Sequence, residues 1–303
     1  MDASDFPTLD PELAEILSLL PDMSQALVDV VAARAALAGL VPSGPVAGEE
    51  LLEISDRVVD GVPVRLYRPR LEGDLPGLLY LHGGGFCLGD VAMEHGGAVQ
   101  LAHALGAVVV SVDYRLAPEN PYPAGLEDCY TGLRFLASLP GVDAARVAVH
   151  GQSAGGGLAA ATALLARDRG GPAICFQSLG IPELDDRLET TSMRSFVATP
   201  LWSRPQAELS WAYYLAGQDA DGYAAPARSE NLAGLPAAHV TTMELDPLRD
   251  EGILYALRLL GAGVSVELHS YPGTFHGSAL FADAAVSRRM AADLVTALRN
   301  GLR

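Results

Sequence analysis

Arg146-Val147-Ala148-Val149-His150-Gly151-Gln152-Ser153-Ala154-Gly155-Gly156-Gly157-Leu158 is the stretch that decides the fold. Its first five residues suit a strand buried on both faces, and the alanine- and leucine-rich run Gly156–Arg167 reads as a helix. Between them, Gly151–Gly155 fits G-x-S-x-G, a strand–turn–helix elbow that holds a serine on a strained turn with its hydroxyl exposed. The five-residue pattern alone is loose; its place between strand and helix makes it specific. A glycine-rich turn with an incidental serine is the competing reading.

Working outward, short apolar runs recur at Gly77–Leu81, Ala107–Val112, Ala173–Leu179, His239–Met243 and Val264–Ser270, each followed by a helix-like segment. Ile54–Val59 and Val62–Tyr67 flank Asp60-Gly61, a strong hairpin dipeptide. This rhythm predicts an α/β fold: a doubly wound, mostly parallel eight-stranded sheet opened by an antiparallel edge. Residues 1–45 read as two helices, Pro11–Leu20 and Ser24–Leu40, the second ended by Gly39, Pro42 and Gly44. The strand rhythm stops again over 184–225, which holds both tryptophans, Trp202 and Trp211, with Tyr213 and Tyr214. The chain thus divides into N-terminal helices (1–45), core (46–183), insertion (184–225) and core again (226–303). Helices and insertion together predict a helical cap over the carboxyl edge of the sheet. Ordinary helix core is the other reading of those aromatics, and a cap that roofs a pocket satisfies both.

Composition narrows the function. Half of the 303 residues are hydrophobic and the mean hydropathy is +0.22, which rules against disorder. The three cysteines, Cys87, Cys129 and Cys175, are an odd, widely spaced set that reads as reduced thiols of a cytoplasmic protein. A net charge of −17 disfavours nucleic acid and anionic membrane as partners. No apolar run approaches 18 residues, and the start Met1-Asp2-Ala3-Ser4-Asp5 lacks the basic flank of a secretory signal. All 20 basic residues are arginine, so any mechanism that needs lysine is excluded, including the P-loop, a pyridoxal Schiff base and the Ser-x-x-Lys pair. Neither H-E-x-x-H nor Cys-x-x-Cys occurs, so no metal is expected. No dinucleotide fingerprint stands between a strand and a helix, and no cofactor is expected.

A serine hydroxyl needs a base within hydrogen-bond reach, and that base needs a carboxylate to orient it. On an elbow the chain order is Ser, then Asp or Glu, then His. Of the two downstream histidines, His269 lies inside the last strand pattern and reads as structural. His276 follows it in the loop Tyr271–Gly277 and is the expected base. Asp246, just past the strand His239–Met243, is the expected acid; Asp250 and Glu251 compete, though both also suit a helix N-terminus. His82-Gly83-Gly84-Gly85-Phe86 after the strand Gly77–Leu81 fits a glycine-rich loop whose bare N–H groups approach a developing oxyanion, and Ala154 N–H would add a further donor.

Together these segments resemble the bacterial hormone-sensitive-lipase-like, HGGG-motif carboxylesterases of the α/β-hydrolase superfamily. The matching pieces are His82–Phe86, Asp113–Glu119, Tyr122–Ala124, Gly151–Gly157, Asp246–Gly252 and Phe275–Gly277, in family order over nearly the whole chain. The resemblance implies a Ser153–Asp246–His276 triad and oxyanion donors from Gly84, Gly85 and Ala154, with Gly83 adjacent. It also implies a cap built from the N-terminal helices and the insertion. The expected activity is cofactor-free hydrolysis of short- to medium-chain acyl esters. An amidase or acyltransferase on the same acyl-enzyme, or a non-catalytic small-molecule receptor, is the alternative. Expected pocket residues are Phe86, Gln152, Phe196, Trp202, Trp211, Tyr214 and Ser278.

Two departures from the family pattern stand out. Gln152 occupies the place where aspartate usually precedes the serine. Losing that negative charge puts the acidic limb of kcat/KM against pH lower than in Gln152→Asp, and identical profiles would refute this. Ser278 follows His-Gly where relatives often carry phenylalanine, and is expected to widen or wet the pocket. Asp113 and Arg115 are expected either to pair and brace the oxyanion loop or to be an ordinary solvated pair. The last strand supports a homodimer by edge pairing as one arrangement and a covered edge as the other.

Overall fold

A computed structural model describes residues 3–20, 23, 25–39 and 44–303. Eight strands form one sheet: β1 (Leu52–Val59), β2 (Val62–Pro69), β3 (Leu75–Leu81), β4 (Val108–Val112), β5 (Val142–Gln152), β6 (Phe176–Gly180), β7 (Ala237–Leu245) and β8 (Val266–Phe275), in the order β1-β2-β4-β3-β5-β6-β7-β8. The hairpin turns at Asp60-Gly61, both with positive φ as a tight two-residue turn requires, and β2 pairs antiparallel with β4. From β4 to β8 every pairing is parallel. The helices are α1 (Pro11–Ala14), α2 (Val30–Ala38), α3 (His95–Leu105), α4 (Ala124–Ser138), α5 (Ala154–Arg169), α6 (Thr191–Ser195), α7 (Arg204–Leu215), α8 (Arg249–Gly261) and α9 (Ala285–Gly301).

Strand alternation sends successive side chains to opposite layers. Leu79, Leu81, Val110, Val147, Val149 and Val240 pack with α4, α5 and α8. Leu78, Tyr80, Val109, Ala148 and Phe176 pack with α3 and α9. Both faces are therefore apolar, which is why the central strands read as unbroken hydrophobic runs.

Three expectations are corrected. β8 runs through Phe275, so the segment from Tyr271 is strand, and only His276 and Gly277 begin the turn; pairing of Tyr271 with Met243 and of Phe275 with Leu245 extends it. The N-terminal helices are shorter than the pattern suggested: α1 stops at Ala14, a 3-10 turn follows at Leu17–Leu19, and α2 begins at Val30 with Asp29 accepting from Ala32 N–H. Ser24, Leu40 and Pro42, the expected limits of the second helix, lie outside the described residues. Arg115 does not pair with Asp113. Its guanidinium makes two 2.8 Å bonds to the buried Asp128 of α4, while Asp113 sits at the end of β4, its N–H on Pro63 O. The ion pair ties the segment after β4 to α4.

The N-terminal elements settle over the carboxyl ends of the strands. Phe6, Leu13 and Leu17 pack on Leu245, Phe275 and Leu201, and Ala26, Leu27 and Val30 pack on Cys87, Leu88, Trp202 and Ala207. Among the described residues no helix is long and apolar enough to cross a membrane.

Candidate active site

Four loops leave the carboxyl ends of β3, β5, β7 and β8 and converge, as parallel α/β sheets place their functional residues. After β5 the chain turns so tightly that Ser153 adopts φ +57° and ψ −124°. Such a φ is costly for a residue with a side chain, so the surroundings must hold it. They do: Ser153 N–H donates to Gly180 O (2.8 Å), and its carbonyl accepts from Gly157 (3.0 Å) and Glu183 (3.1 Å). Gly155 has no alternative, because a Cβ there would lie 2.1 Å from Leu81 O and 2.4 Å from His82 O. This contact presses the elbow against the loop after β3.

The serine meets the expected base. His276 Nε2 lies 3.0 Å from Ser153 Oγ, and His276 Nδ1 lies 2.8 Å from Asp246 Oδ2. Asp246 is fully buried, and its other oxygen accepts from Leu248 N–H at 2.9 Å. The competing carboxylates are engaged elsewhere. Asp250 accepts from Ser192 N–H (2.7 Å) at the start of α6, and Glu251 from Leu184 N–H (2.6 Å) and Asp185 N–H (3.2 Å). His269 sits within β8, away from Ser153, with Glu267 and Tyr271.

In the loop after β3 every carbonyl from Gly83 to Phe86 has a donor. His82 Nδ1 is 2.8 Å from Gly83 O, Leu88 N–H is 2.8 Å from Gly84 O, Ser210 Oγ is 3.0 Å from Gly85 O, and Ala117 N–H is 2.9 Å from Phe86 O. Burial pushes His82 down to about 4, so its ring is neutral and Nδ1–H serves as donor. Gly84 turns with φ +120°, where a Cβ would strike Leu88 O at 2.2 Å. With the carbonyls anchored, the N–H groups of Gly84 and Gly85 are left without a protein acceptor among the described residues. Fixed donors of this kind cost no reorganisation when charge develops in front of them.

Two residues that sequence reasoning passed over support this loop. Ser210 of α7 lies 2.9 Å from Glu183 Oε1 as well as 3.0 Å from Gly85 O. A hydroxyl has one hydrogen and cannot serve two acceptors fully. Glu183 is completely buried, which pushes its carboxyl up to about 8 with the nearby Asp246 adding to the rise. As a neutral acid it donates to Ser210, which donates on to Gly85 O. An acidic residue inside the apolar Ile181-Pro182-Glu183-Leu184 run was the available signal.

Aromatic side chains wall the site. The Trp202 ring lies 5.7 Å from that of His276 and rests against Gly85. Phe86, at φ +58°, stacks on Tyr214 (4.0 Å) and tilts against Trp211 (5.3 Å). Gln152 ends β5 beside the serine and packs toward Gly180. Ser278 is not a wall residue: it is fully buried and donates to Met243 Sδ at 3.3 Å, so it neither widens nor wets the pocket. Phe196 also serves packing, within the cluster of Phe6, Leu245 and Phe275, with the Arg249 guanidinium 5.5 Å above its ring. A surface cleft of about 600 Å³ along α8, lined by Asp185, Arg228, Tyr255 and Arg258 among others, contains no residue of this constellation.

Residues 78–280 match a family described as the alpha/beta hydrolase fold. The chain is 42% identical over 293 residues to the carboxylesterase NlhH of Mycobacterium tuberculosis, spanning 91% of this chain and 90% of that protein. It is 38% identical over 289 residues to the esterase LipI of the same organism, spanning 91% and 89%. Among solved structures, one titled a bacterial heroin esterase superposes with a TM-score of 0.94 at 50% identity over 99% of both chains.

Proposed function

The chain belongs to the hormone-sensitive-lipase-like carboxylesterases of the α/β-hydrolase superfamily, and on that premise we propose that Ser153, His276 and Asp246 hydrolyse short- to medium-chain acyl esters through an acyl-enzyme. His276 Nε2 takes the proton of Ser153 Oγ as that oxygen attacks the ester carbonyl. The oxyanion settles on the N–H groups of Gly84, Gly85 and Ala154, with Gly83 at the rim. Ala154 opens α5, whose dipole has the sign that stabilises the anion. His276 then protonates the departing alcohol, and water repeats the sequence to free the acid and restore Ser153. Asp246 holds the imidazole with Nδ1 protonated throughout. The observation that carries this reading is the chain of contacts Ser153–His276–Asp246, at 3.0 and 2.8 Å.

The acyl-length reading rests on Phe86, Trp202, Trp211 and Tyr214, which crowd both sides of the oxyanion loop, and on N-terminal helices and a 184–225 segment that act as a cap. Turnover of p-nitrophenyl acetate and butyrate is expected to exceed that of the palmitate ester, and a preference for the long chain would overturn the proposal. A fluorophosphonate should label the protein once, on Ser153; failure to label would favour a receptor over an enzyme. The same reading places the enzyme in a reducing compartment, with Cys87 and Cys129 buried as free thiols. An intermolecular or internal disulfide in the native protein would refute it.

Glu183 supplies a pH prediction. An unfolded glutamate releases its proton near 4.5, whereas the native one keeps it to about 8. Between those values the native state binds the extra proton, so stability falls as pH rises from about 4.5 to about 8 and levels off above. Ionisation also turns Ser210 toward the carboxylate and takes the donor from Gly85 O. Glu183→Gln keeps a donor without a charge. It should retain activity, melt higher than wild type above pH 8 and lose the alkaline decline of kcat that Ser210 transmits. Equal pH dependence of Tm and kcat in the two proteins would show that Glu183 is not the neutral acid inferred here.

A further inference from the structure

A polar row crosses the sheet on the face covered by α3 and α9. Strand register sets Tyr80 beside His150, His150 beside Ser178, Ser178 beside His239, and His239 beside Glu267. The first members have partners: Tyr80 donates to Glu94 (2.7 Å), and His150 Nδ1 is 3.0 Å from Ser178 Oγ. His239 is different. It is 1% exposed, and neither of its ring nitrogens has a hydrogen-bond partner among the described residues. A buried imidazole with both nitrogens unserved is costly.

Next to it on β8 stand Glu267 and His269. Ligand atoms of His239, Glu267 and His269 all lie within 4.8 Å of one another, and His269 Nε2 is 2.9 Å from Glu267 Oε1. Behind His269, Nδ1 lies 3.0 Å from Tyr271 Oη, which donates to Asp293 of α9 at 2.9 Å. Counting hydrogens exposes a mismatch. The tyrosine hydrogen goes to Asp293, so Nδ1–H must donate to the phenolic oxygen. A neutral His269 then turns the lone pair of Nε2 toward a carboxylate. Two acceptors at that distance call for a cation. A proton on Nε2 meets the demand at His269 but leaves both ring nitrogens of the buried His239 without a partner among the described residues.

We propose that His239, Glu267 and His269 form a binding site for a zinc-like divalent transition-metal ion at the β7–β8 edge of the sheet, with Tyr271 and Asp293 orienting His269 from behind. Two imidazoles and one carboxylate are donors that suit zinc far better than magnesium or calcium. A carboxylate reached through the far side of a ligating imidazole is the usual outer partner of such a ligand, here relayed by a tyrosine. Ligand atoms of a tetrahedral zinc site lie about 3.4 Å apart, given bonds of about 2.0–2.1 Å. Drawing the ligand atoms together by up to about 1.4 Å takes only a side-chain rotation, and Glu267, being exposed, has room to make it. A water completes the shell. The site lies on the β7–β8 flank of the sheet, two strands from β5, with Asp293 of α9 behind it, and holds no residue of the Ser153 constellation, so the ion is structural: it clamps the outermost strand to its neighbour.

The test uses the whole chain, dialysed against chelator and then titrated with ZnCl2 by calorimetry and thermal melting. Saturation at one ion per chain with a rise in Tm is expected. Glu267→Gln and His269→Gln, both at solvent-reached positions, should each weaken binding tenfold or more, and Asp293→Asn by roughly 10–100-fold, the usual effect of an outer partner. Cobalt in place of zinc should give the strong visible bands of a tetrahedral ion. Esterase activity should persist in Glu267→Gln, which separates failure of this site from failure of the catalytic reading. Absence of saturable zinc binding, or binding unchanged in both Glu267→Gln and His269→Gln, would overturn the proposal.

Discussion

Ser153→Ala is expected to lower kcat for a short-chain ester on the order of a millionfold, or about 8 kcal/mol of transition-state stabilisation. The size follows from position. Oγ is the atom 3.0 Å from His276 Nε2, and on the proposed mechanism no acyl-enzyme forms without it. What remains is the loop after β3, whose carbonyls are anchored by neighbours other than Ser153 and which on the same mechanism still polarises a bound ester toward water. Alanine keeps a Cβ at φ +57°, and the backbone bonds of residue 153 to Gly180, Gly157 and Glu183 are untouched, so Tm should move by no more than a few degrees. Steady-state kinetics and a thermal melt check both halves. A variant within tenfold of wild type, or one still labelled by a fluorophosphonate, would place the nucleophile elsewhere.

Asp246→Asn should cost about ten-thousandfold in kcat with the fold again intact. The reason lies in which oxygen does what. Oδ1 accepts from Leu248 N–H at 2.9 Å and Oδ2 faces His276 Nδ1 at 2.8 Å. An asparagine keeps its carbonyl oxygen on the Leu248 N–H, because the opposite flip sets two donors against each other. Its NH2 then points at Nδ1 and favours the tautomer protonated on Nε2, which cannot accept the proton of Ser153. Loss should fall on kcat rather than KM, since the ester does not touch residue 246. A variant keeping more than a tenth of wild-type kcat would show that Asp246 is not the orienting acid. Asp250→Asn and Glu251→Gln are the controls, because those carboxylates cap Ser192 and the Leu184–Asp185 turn instead.

Much of this was legible in one dimension because the governing rules are local. A two-faced strand must be apolar throughout, a serine elbow needs small residues where chains touch, and a hairpin needs a dipeptide that tolerates positive φ. Those rules picked out the parallel sheet, Ser153 with its Gly155, and the Asp60-Gly61 turn from residue types alone. Chain order then singled out Asp246 and His276, since parallel strands deliver the loops that follow them to one edge.

Other features depend on residues that meet only through packing. Ser278 stands two residues after His276 but turns toward Met243, and Arg115 passes over nearby Asp113 for Asp128. Burial and nearby Asp246 push the Glu183 carboxyl up; the apolar run Ile181–Leu184 hints at the burial, but the approach of Asp246 is set by packing alone. His239, Glu267 and His269 come from strands 28 and more positions apart, joined by register. Sequence alone determined which backbone could form and where the elbow serine would stand on it. Protonation state, side-chain direction and contacts across the sheet were decided by the tertiary structure, because desolvation and hydrogen-bond satisfaction are properties of a packed neighbourhood and not of a chain segment.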